Sequence, residues 1–232
     1  MFDHRRLRVL GLGVLAAVSA AVLAACAGGS SSPGTAAEPG SAGFTAQQLR
    51  GALLTSVDGA SPAASIQTGR YGTLHGVQDT QASARGVRIL PARCARAART
   101  GLDAAALSNA PATVVSFRHG AGGVSEVLLS PRGTLAVTAL GRRVPRGCTH
   151  YRAVAGGQTY AYSVKEVHGP RLGAATREIK VRASGPTTVK VWTVIYRANG
   201  YVGAITMVGP TATRKDVESI ARMAYEKAQR TL

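Results

Sequence analysis

Runs of alternating apolar and polar residues in the second half of the chain constrain the fold more than any other feature. Residues 149–154 and 159–167 flank Gly156-Gly157, which predicts a β-hairpin. Asn199-Gly200 follows the run 189–197 and favours a type I′ turn into a further strand. These turns are short, so the strands they join are expected to pair antiparallel, in meander order.

The faces of these strands predict their places in the sheet. In the run 175–182, Arg177, Ile179 and Val181 share one face and polar residues share the other, which is typical of a half-exposed antiparallel strand. The run 189–197 is apolar on both faces in its middle, so we expect a central strand. Earlier in the chain, residues 113–119 and 124–129 read as two more strands.

Helices are predicted at both ends of the folded region. Thr45 can cap a first helix with Gln48 closing the capping box, and apolar residues then recur every four positions to Val57. Thr213 can cap a closing helix whose charges match the helix dipole. The sequence therefore predicts an α+β fold, an antiparallel β-sheet with packed helices, the N-terminal and C-terminal helices lying on the sheet.

The segments between these elements carry weaker patterns. We expect residues 60–88 to form a loop with at most short strands, because they are polar and weakly periodic. Pro91 suits the first turn of a helix that runs to about Arg99. A third helix is expected from Ser130-Pro131 through Leu140.

The N-terminus has the pattern of an export signal. Three arginines, an apolar segment and Leu23-Ala24-Ala25 precede Cys26, so residues 1–25 are predicted to be a signal peptide. The segment Leu23-Ala24-Ala25-Cys26 resembles a bacterial lipobox. This resemblance implies cleavage before Cys26 and lipidation of the Cys26 thiol. The alternative is an uncleaved membrane anchor. Either way, we expect the folded domain on the outer face of the cytoplasmic membrane.

A flexible tether is predicted between the lipidated cysteine and the folded domain. Residues 26–43 are rich in Gly, Ser, Ala and Pro and contain nothing that can pack. Their root-mean-square reach is roughly 20–25 Å. The domain organisation is therefore a signal peptide over 1–25, Cys26 and a linker over 26–43, and one α+β domain over 44–232.

Two cysteines remain once Cys26 is assigned to the lipid. An even pair in an exported chain predicts a disulfide between Cys94 and Cys148. The alternative is two free buried thiols.

The chain is strongly basic, with 28 Lys and Arg against 11 Asp and Glu and a formal net charge of +17. A disulfide at Cys94 would bring two groups of arginines together as a candidate patch for an anionic ligand. The patch consists of Arg93, Arg96, Arg99, Arg142, Arg143 and Arg146. The alternative is an ordinary solvated face. Export and the lack of an aromatic-interleaved basic motif argue against a nucleic-acid partner.

No motif for catalysis, metal or cofactor binding is present, so we predict no enzyme activity and no cofactor. Glu126 and Glu166 are single carboxylates in predicted strands, and we expect each to be salt-bridged or exposed. Tyr160, Trp192 and Tyr196 could line a cleft, although aromatic residues at strand spacing are more often core.

The order of several segments resembles that of actinobacterial sensor-domain lipoproteins, which are similar to the extracellular domain of PknH-type receptor kinases. The resemblance covers roughly residues 44–232, departs at the polar stretch 60–88, and includes no kinase domain. It implies a non-enzymatic α+β domain that binds an extracellular ligand in a cleft. The matching segments are FTAQQLRGALL, CARAA, CTHY, YSVKEVHGPRLGAATREIKV, VWTVIYRANGYVGAITMVG and DVESIARMAYEKAQ.

The resulting hypothesis is a lipid-anchored, extracytoplasmic, sensor-like domain that binds an unidentified extracellular ligand or cell-envelope component. A lipid or glycolipid carrier is the alternative, and it requires a cavity much larger than the few hundred Å³ of an ordinary binding site. A secreted hydrolase is disfavoured because no nucleophile and base can be paired from the sequence. A purely structural envelope protein also stays open.

Overall fold

A computed structural model describes residues 43–99, 101–102, 105–141 and 143–232. The described residues form one nine-stranded antiparallel sheet and four α-helices, so the predicted α+β fold is confirmed. The strands are β1 Gln67–Arg70, β2 Arg88–Leu90, β3 Pro111–His119, β4 Gly122–Leu129, β5 His150–Ala155, β6 Gln158–Val167, β7 Ala175–Ser184, β8 Thr188–Ala198 and β9 Tyr201–Gly209. The helices are α1 Ala46–Ala52, α2 His75–Arg85, α3 Leu135–Gly141 and α4 Arg214–Thr231.

The strands lie in the order β1-β3-β4-β9-β8-β7-β6-β5-β2. From β5 to β9 each strand pairs with the next, which confirms the predicted meander, and β8 is the middle strand of the nine, as its apolar faces indicated. The hairpin of β3 and β4 adds to the far side of β9. The short strands β1 and β2 form the two edges.

The two faces of the sheet are covered differently. On the helix face, α1 and α4 pack on β3, β4, β9 and β8 around Leu49, Ile205 and Val217, which are all fully buried. On the disulfide face, the segment 71–110 and α3 cover a second core that includes Cys94 and Ile195. At its first residue α4 still reaches β7, where Arg214 contacts the buried Glu178. Over β2, β5, most of β6, the second half of β7 and the start of β8, the helix face is packed against no helix of the described residues; we call this area the open sheet face.

The caps of the terminal helices are as the sequence predicts. The Thr45 hydroxyl accepts a hydrogen bond from Gln48 N at 3.3 Å, and the Gln48 side chain accepts one from Thr45 N at 2.9 Å. The Thr213 hydroxyl accepts from Asp216 N at 3.2 Å. Such caps satisfy backbone N–H groups that the first turn leaves free, and each contributes about 1 kcal/mol.

The first helix is shorter than its apolar pattern predicts. It ends at Ala52, because Leu53 adopts extended backbone angles, yet Leu53 and Val57 are both buried. The N–H of Leu54 donates to the buried carboxylate of Glu126 instead of continuing the helical ladder. A long-range hydrogen bond therefore ends a helix that local periodicity would extend.

Three weaker predictions need correction. Residues 60–88 contain the eleven-residue helix α2, in which Val77 alone is buried, so the helix has no apolar stripe for the sequence to reveal. The segment after Pro91 is a short 3₁₀-helix over Ala92–Arg96 instead of an α-helix reaching Arg99. The third helix begins only at Leu135.

Cys94 and Cys148 form the predicted disulfide, with Cα atoms 5.2 Å apart. Both residues are buried in the core of the disulfide face. The bond fixes the 3₁₀-helix to the segment that enters β5. Among the described ranges, no helix combines the length and apolar character needed to cross a membrane. The predicted signal peptide, Cys26 and the predicted linker up to residue 42 lie outside the described residues.

Candidate functional site

An open cavity of about 590 Å³ lies where β5 begins, beside the middle of β6. β5 pairs with β6 only as far as His150 opposite Ser163, and the chain before it diverges from the sheet. One further bond, from Val164 N to Thr149 O at 2.7 Å, holds the diverging segment. The cavity is lined by Val144, Thr149, His150, Ser163, Val164, Lys165 and Glu166.

Glu166 is the fixed anion of this cavity. Its Oε1 accepts hydrogen bonds from Val144 N at 2.7 Å and from Arg177 Nη2 at 2.6 Å, and its Oε2 lies 3.3 Å from Arg143 Nη1. Partial burial alone would raise the pKa of Glu166, but the Val144 N–H and the Arg177 guanidinium outweigh it and lower the pKa. The expectation of a salt bridge at Glu166 is therefore confirmed, and the group is a carboxylate at neutral pH.

Arg177 is the buried partner of this carboxylate. Its side chain is only 7% exposed, and its Nε and Nη1 donate to no acceptor of the described residues. Arg197 lies on the neighbouring strand β8, two residues beyond Ile195, which is paired with Arg177. The Nε of Arg197 is also buried and has no acceptor among the described residues. Buried donors are normally satisfied, so this region has unused capacity for an oxygen-rich group.

The residues of the predicted arginine patch lie on two segments of the chain. The disulfide joins the segment that carries Arg93, Arg96 and Arg99 to the segment that carries Arg143 and Arg146, and all five residues are exposed. Arg143 alone among them contacts the cavity, through Glu166. Arg142 lies outside the described residues. Binding of an anion by this patch stays a prediction.

The three aromatic residues named as possible cleft lining do not share one surface. Trp192 and Tyr196 lie on the helix face, whereas Tyr160 lies on the opposite face, and all three are buried. Lys180 Nζ stands 5.0 Å from the centroid of the Trp192 ring. Tyr196 packs edge-to-face against Tyr201 and belongs to the core.

Glu126 contradicts the expectation of a salt-bridged or exposed residue. It is fully buried on the helix face, where Oε2 accepts from Leu54 N at 2.8 Å and Oε1 has no hydrogen-bond partner in the described structure. Burial raises the pKa of Glu126 to about 7, although the Leu54 N–H and the charge of Lys227 act in the opposite direction. The sequence did carry a signal, because strand alternation puts Glu126 on the same face as Val124 and Leu128.

Other titratable groups are scattered. Asp58 Oδ2 and His119 Nδ1 are 3.0 Å apart at the surface, and His150 Nδ1 lies 3.2 Å from the hydroxyl of Thr149. Within the ranges that the structure describes, no three His, Cys, Asp or Glu residues stand close enough to hold a metal ion. The cavity at Glu166 is thus a concave part of the described structure that combines a fixed carboxylate with polar and basic lining residues.

No family model matches the chain, and no curated protein matches it in sequence. Among solved structures, the extracellular domain of PknH from Mycobacterium tuberculosis aligns with a TM-score of 0.52 at 13% identity, covering 82% of this chain and 100% of that one. The chain has the fold of that extracellular domain. The resemblance suggested by the order of the sequence segments is thus confirmed at the level of the fold.

A second solved structure shares less of the architecture. It is described as a putative uncharacterized protein (Rv0999 ortholog) from Mycobacterium smegmatis. Its TM-score is 0.39 at 12% identity, with 62% of this chain and 77% of that chain covered.

Proposed function

We propose that this protein is a lipid-anchored extracytoplasmic lipoprotein whose folded domain is non-catalytic and binds a ligand. The observation that carries the proposal is the fold shared with an extracellular domain over most of the chain. The Cys94–Cys148 disulfide supports export independently, because disulfides persist in oxidising compartments and are rare in the cytosol.

Anchoring rests on Cys26 and is tested in cells. We expect a clickable palmitate analogue to label the wild-type chain and not Cys26→Ser, and intact mass to show a mature chain that begins at residue 26. Labelling that persists in Cys26→Ser, or a labelled chain that retains residues 1–25, would contradict the lipobox reading. An unlabelled chain that keeps residues 1–25 in the membrane fraction would instead identify an uncleaved anchor.

The ligand site we favour is the cavity at Glu166. Its volume of about 590 Å³ lies within the range of small-molecule sites, whereas a lipid carrier needs considerably more. Glu166 already accepts from three donors, so the groups free to contact a ligand are mainly the donors His150, Ser163 and Lys165. A small molecule rich in oxygen acceptors, such as a carboxylate or a phosphate ester, fits this lining.

The test is native mass spectrometry of the protein purified from its own host. We expect a small co-purified molecule on the wild-type chain, and its loss in Ser163→Trp, which would fill the cavity. Thr159→Trp is the matched control, because Thr159 lies on the same face of the same strand but does not line the cavity. Equal occupancy in both variants would refute the site, and a co-purified acyl lipid would favour the carrier.

A further inference from the structure

The open sheet face carries a dense and uncompensated positive charge. Its side chains come from alternate positions of β2, β5, β6 and β7 and from the first part of β8. The acidic residue of these positions, Glu178, is fully buried and bonded to Arg214, so it offers no exposed carboxylate. The cations of the open sheet face are Arg88, Arg152, Lys165, Lys180, Arg182 and Lys190.

The strand register places like charges directly opposite one another. Lys165 is paired with Lys180 across β6 and β7, and Arg182 is paired with Lys190 across β7 and β8. Side chains at such positions have Cβ atoms about 4.5–5.5 Å apart, and like charges there destabilise the sheet. Lys165 and Arg182 are exposed, so the repulsion is relieved if an anionic surface covers them.

We propose that the open sheet face binds the surface of a membrane that contains anionic phospholipid. Neighbouring strands lie about 4.8 Å apart, so the five strands that carry these cations span about 20 Å, which is wide enough to contact several headgroups at once. Leu90 lies on the same face opposite Arg152 and is 38% exposed, so it offers an apolar side chain at the rim. Clusters of about four to eight Lys and Arg residues are typical of surfaces that bind anionic headgroups.

The tether allows this orientation. Seventeen residues separate Cys26 from Phe44, and fully extended they reach about 60 Å at most. The whole sheet of nine strands is about 40 Å wide, which is less than the reach of the tether. The tether is therefore long enough for the open sheet face to lie on the bilayer. One lipid anchor and a basic surface together give durable membrane binding. This use of the tether rests on the proposed function, whereas the affinity of the face for lipid does not.

The orientation has a consequence for the ligand site. Ser163 and Lys165 belong both to the open sheet face and to the lining of the cavity. A domain that lies with this face on the bilayer would therefore open its cavity towards the headgroups. The membrane contact would set which molecules can reach the site.

The test uses the mature chain, residues 26–232, with Cys26→Ser so that no acyl chain can attach. This chain keeps every contact described above, all of which lie within residues 43–232. Binding is measured by co-sedimentation with vesicles of equal phosphatidylglycerol and phosphatidylcholine, and with phosphatidylcholine alone. We expect binding to the anionic vesicles only, and its loss in 0.5 M NaCl, because salt screens charges at a surface.

The variant Lys165→Gln/Arg182→Gln removes one member of each like-charge pair. Each basic residue near an anionic surface strengthens binding about fivefold, so the pair should weaken binding about 25-fold. Arg50→Gln/Arg230→Gln is the matched control, since it removes the same charge from exposed positions on α1 and α4, away from the open sheet face, and should change binding less than threefold. Thermal unfolding should show the first variant at least as stable as the parent, which excludes misfolding as the cause.

Three results would overturn the proposal. An equal loss in both variants would show that net charge alone drives binding. Equal binding to neutral vesicles would show that the cations play no part. Binding to soluble long-chain polyphosphate without binding to anionic vesicles would assign the face to a soluble polyanion. Failure of the anchor is recorded separately, by the palmitate labelling of Cys26, and leaves the vesicle result intact.

Discussion

Replacing Glu126 by glutamine should make the protein more stable at neutral and alkaline pH. The carboxylate is fully buried against the helix face, with Leu54 N as its one hydrogen-bond donor in the described structure. Glutamine has nearly the same shape and keeps a carbonyl oxygen for the Leu54 N–H. It cannot ionise, so the variant avoids the desolvation of a buried negative charge.

The size of the effect follows from the pKa in the two states. Burial raises the pKa of Glu126 to about 7 in the folded protein, from 4.5 when the group is unperturbed. Below pH 4.5 both states are protonated, and the group has no effect on stability. Between pH 4.5 and about pH 7 the folded state retains a proton on Glu126 that the unfolded state has released. The free energy of unfolding therefore falls by about 1.4 kcal/mol for each pH unit. Above the folded pKa the loss is complete, at roughly 3 kcal/mol.

The assay is urea unfolding followed by far-UV circular dichroism at pH 4.5, 6 and 8. We expect Glu126→Gln and the wild-type protein to have the same free energy of unfolding at pH 4.5, and the variant to be more stable by roughly 3 kcal/mol at pH 8.

Glu166→Gln is the control with the opposite sign. The pKa of Glu166 is lowered, so its carboxylate stabilises the fold above pH 4.5 and loses this effect as the pH falls through the folded pKa. We expect Glu166→Gln to be less stable than the wild type at pH 8, and the difference to shrink in acid. Parallel pH profiles for Glu126→Gln and the wild type would refute the assignment of a buried, raised pKa.

Two further predictions concern packing and the covalent link. Replacing Cys94 and Cys148 by alanine should lower the free energy of unfolding by about 4 kcal/mol, because the bond closes a loop with a sequence separation of 54; a loss below about 1 kcal/mol in guanidinium unfolding would contradict this. Gly203→Ala should destabilise the folded protein by about 1–3 kcal/mol, because the added Cβ would stand 2.2 Å from the buried ring of Tyr196. Gly86→Ala is the control, because a Cβ there meets open space, and it should shift the thermal midpoint by at most about 1–2 °C.

The elements that the sequence predicts well are those with local causes. The Gly156-Gly157 and Asn199-Gly200 turns, the caps at Thr45 and Thr213, and the alternation of the strands all depend on residues within a few positions of one another. The helix α2 has no such periodic signal, because Val77 is its only buried residue, and this helix is missing from the prediction.

The candidate site is less visible in the sequence. The sequence predicts Glu166 as a salt-bridged or exposed carboxylate but does not identify its partner Arg177. The strand pattern only places Arg177 on the same face as Ile179 and Val181. The cavity forms because the chain before His150 diverges from β6, and no local pattern marks that point. The arginines near Cys94 are conspicuous in sequence, yet the structure leaves most of them exposed and apart from the cavity.

The sequence by itself determined the alternation of the strands, the turns, the helix caps and the pair of cysteines, because each depends on short-range sterics, hydrogen bonding or elimination among very few residues. Only the tertiary structure decided which charges are buried and which are exposed. Glu126 is buried because α1 and α4 cover its half of the helix face, whereas Lys165 and Arg182 face solvent because no described helix covers theirs. The free energy of a charge depends on everything that displaces water around it, and those neighbours are distant in the chain.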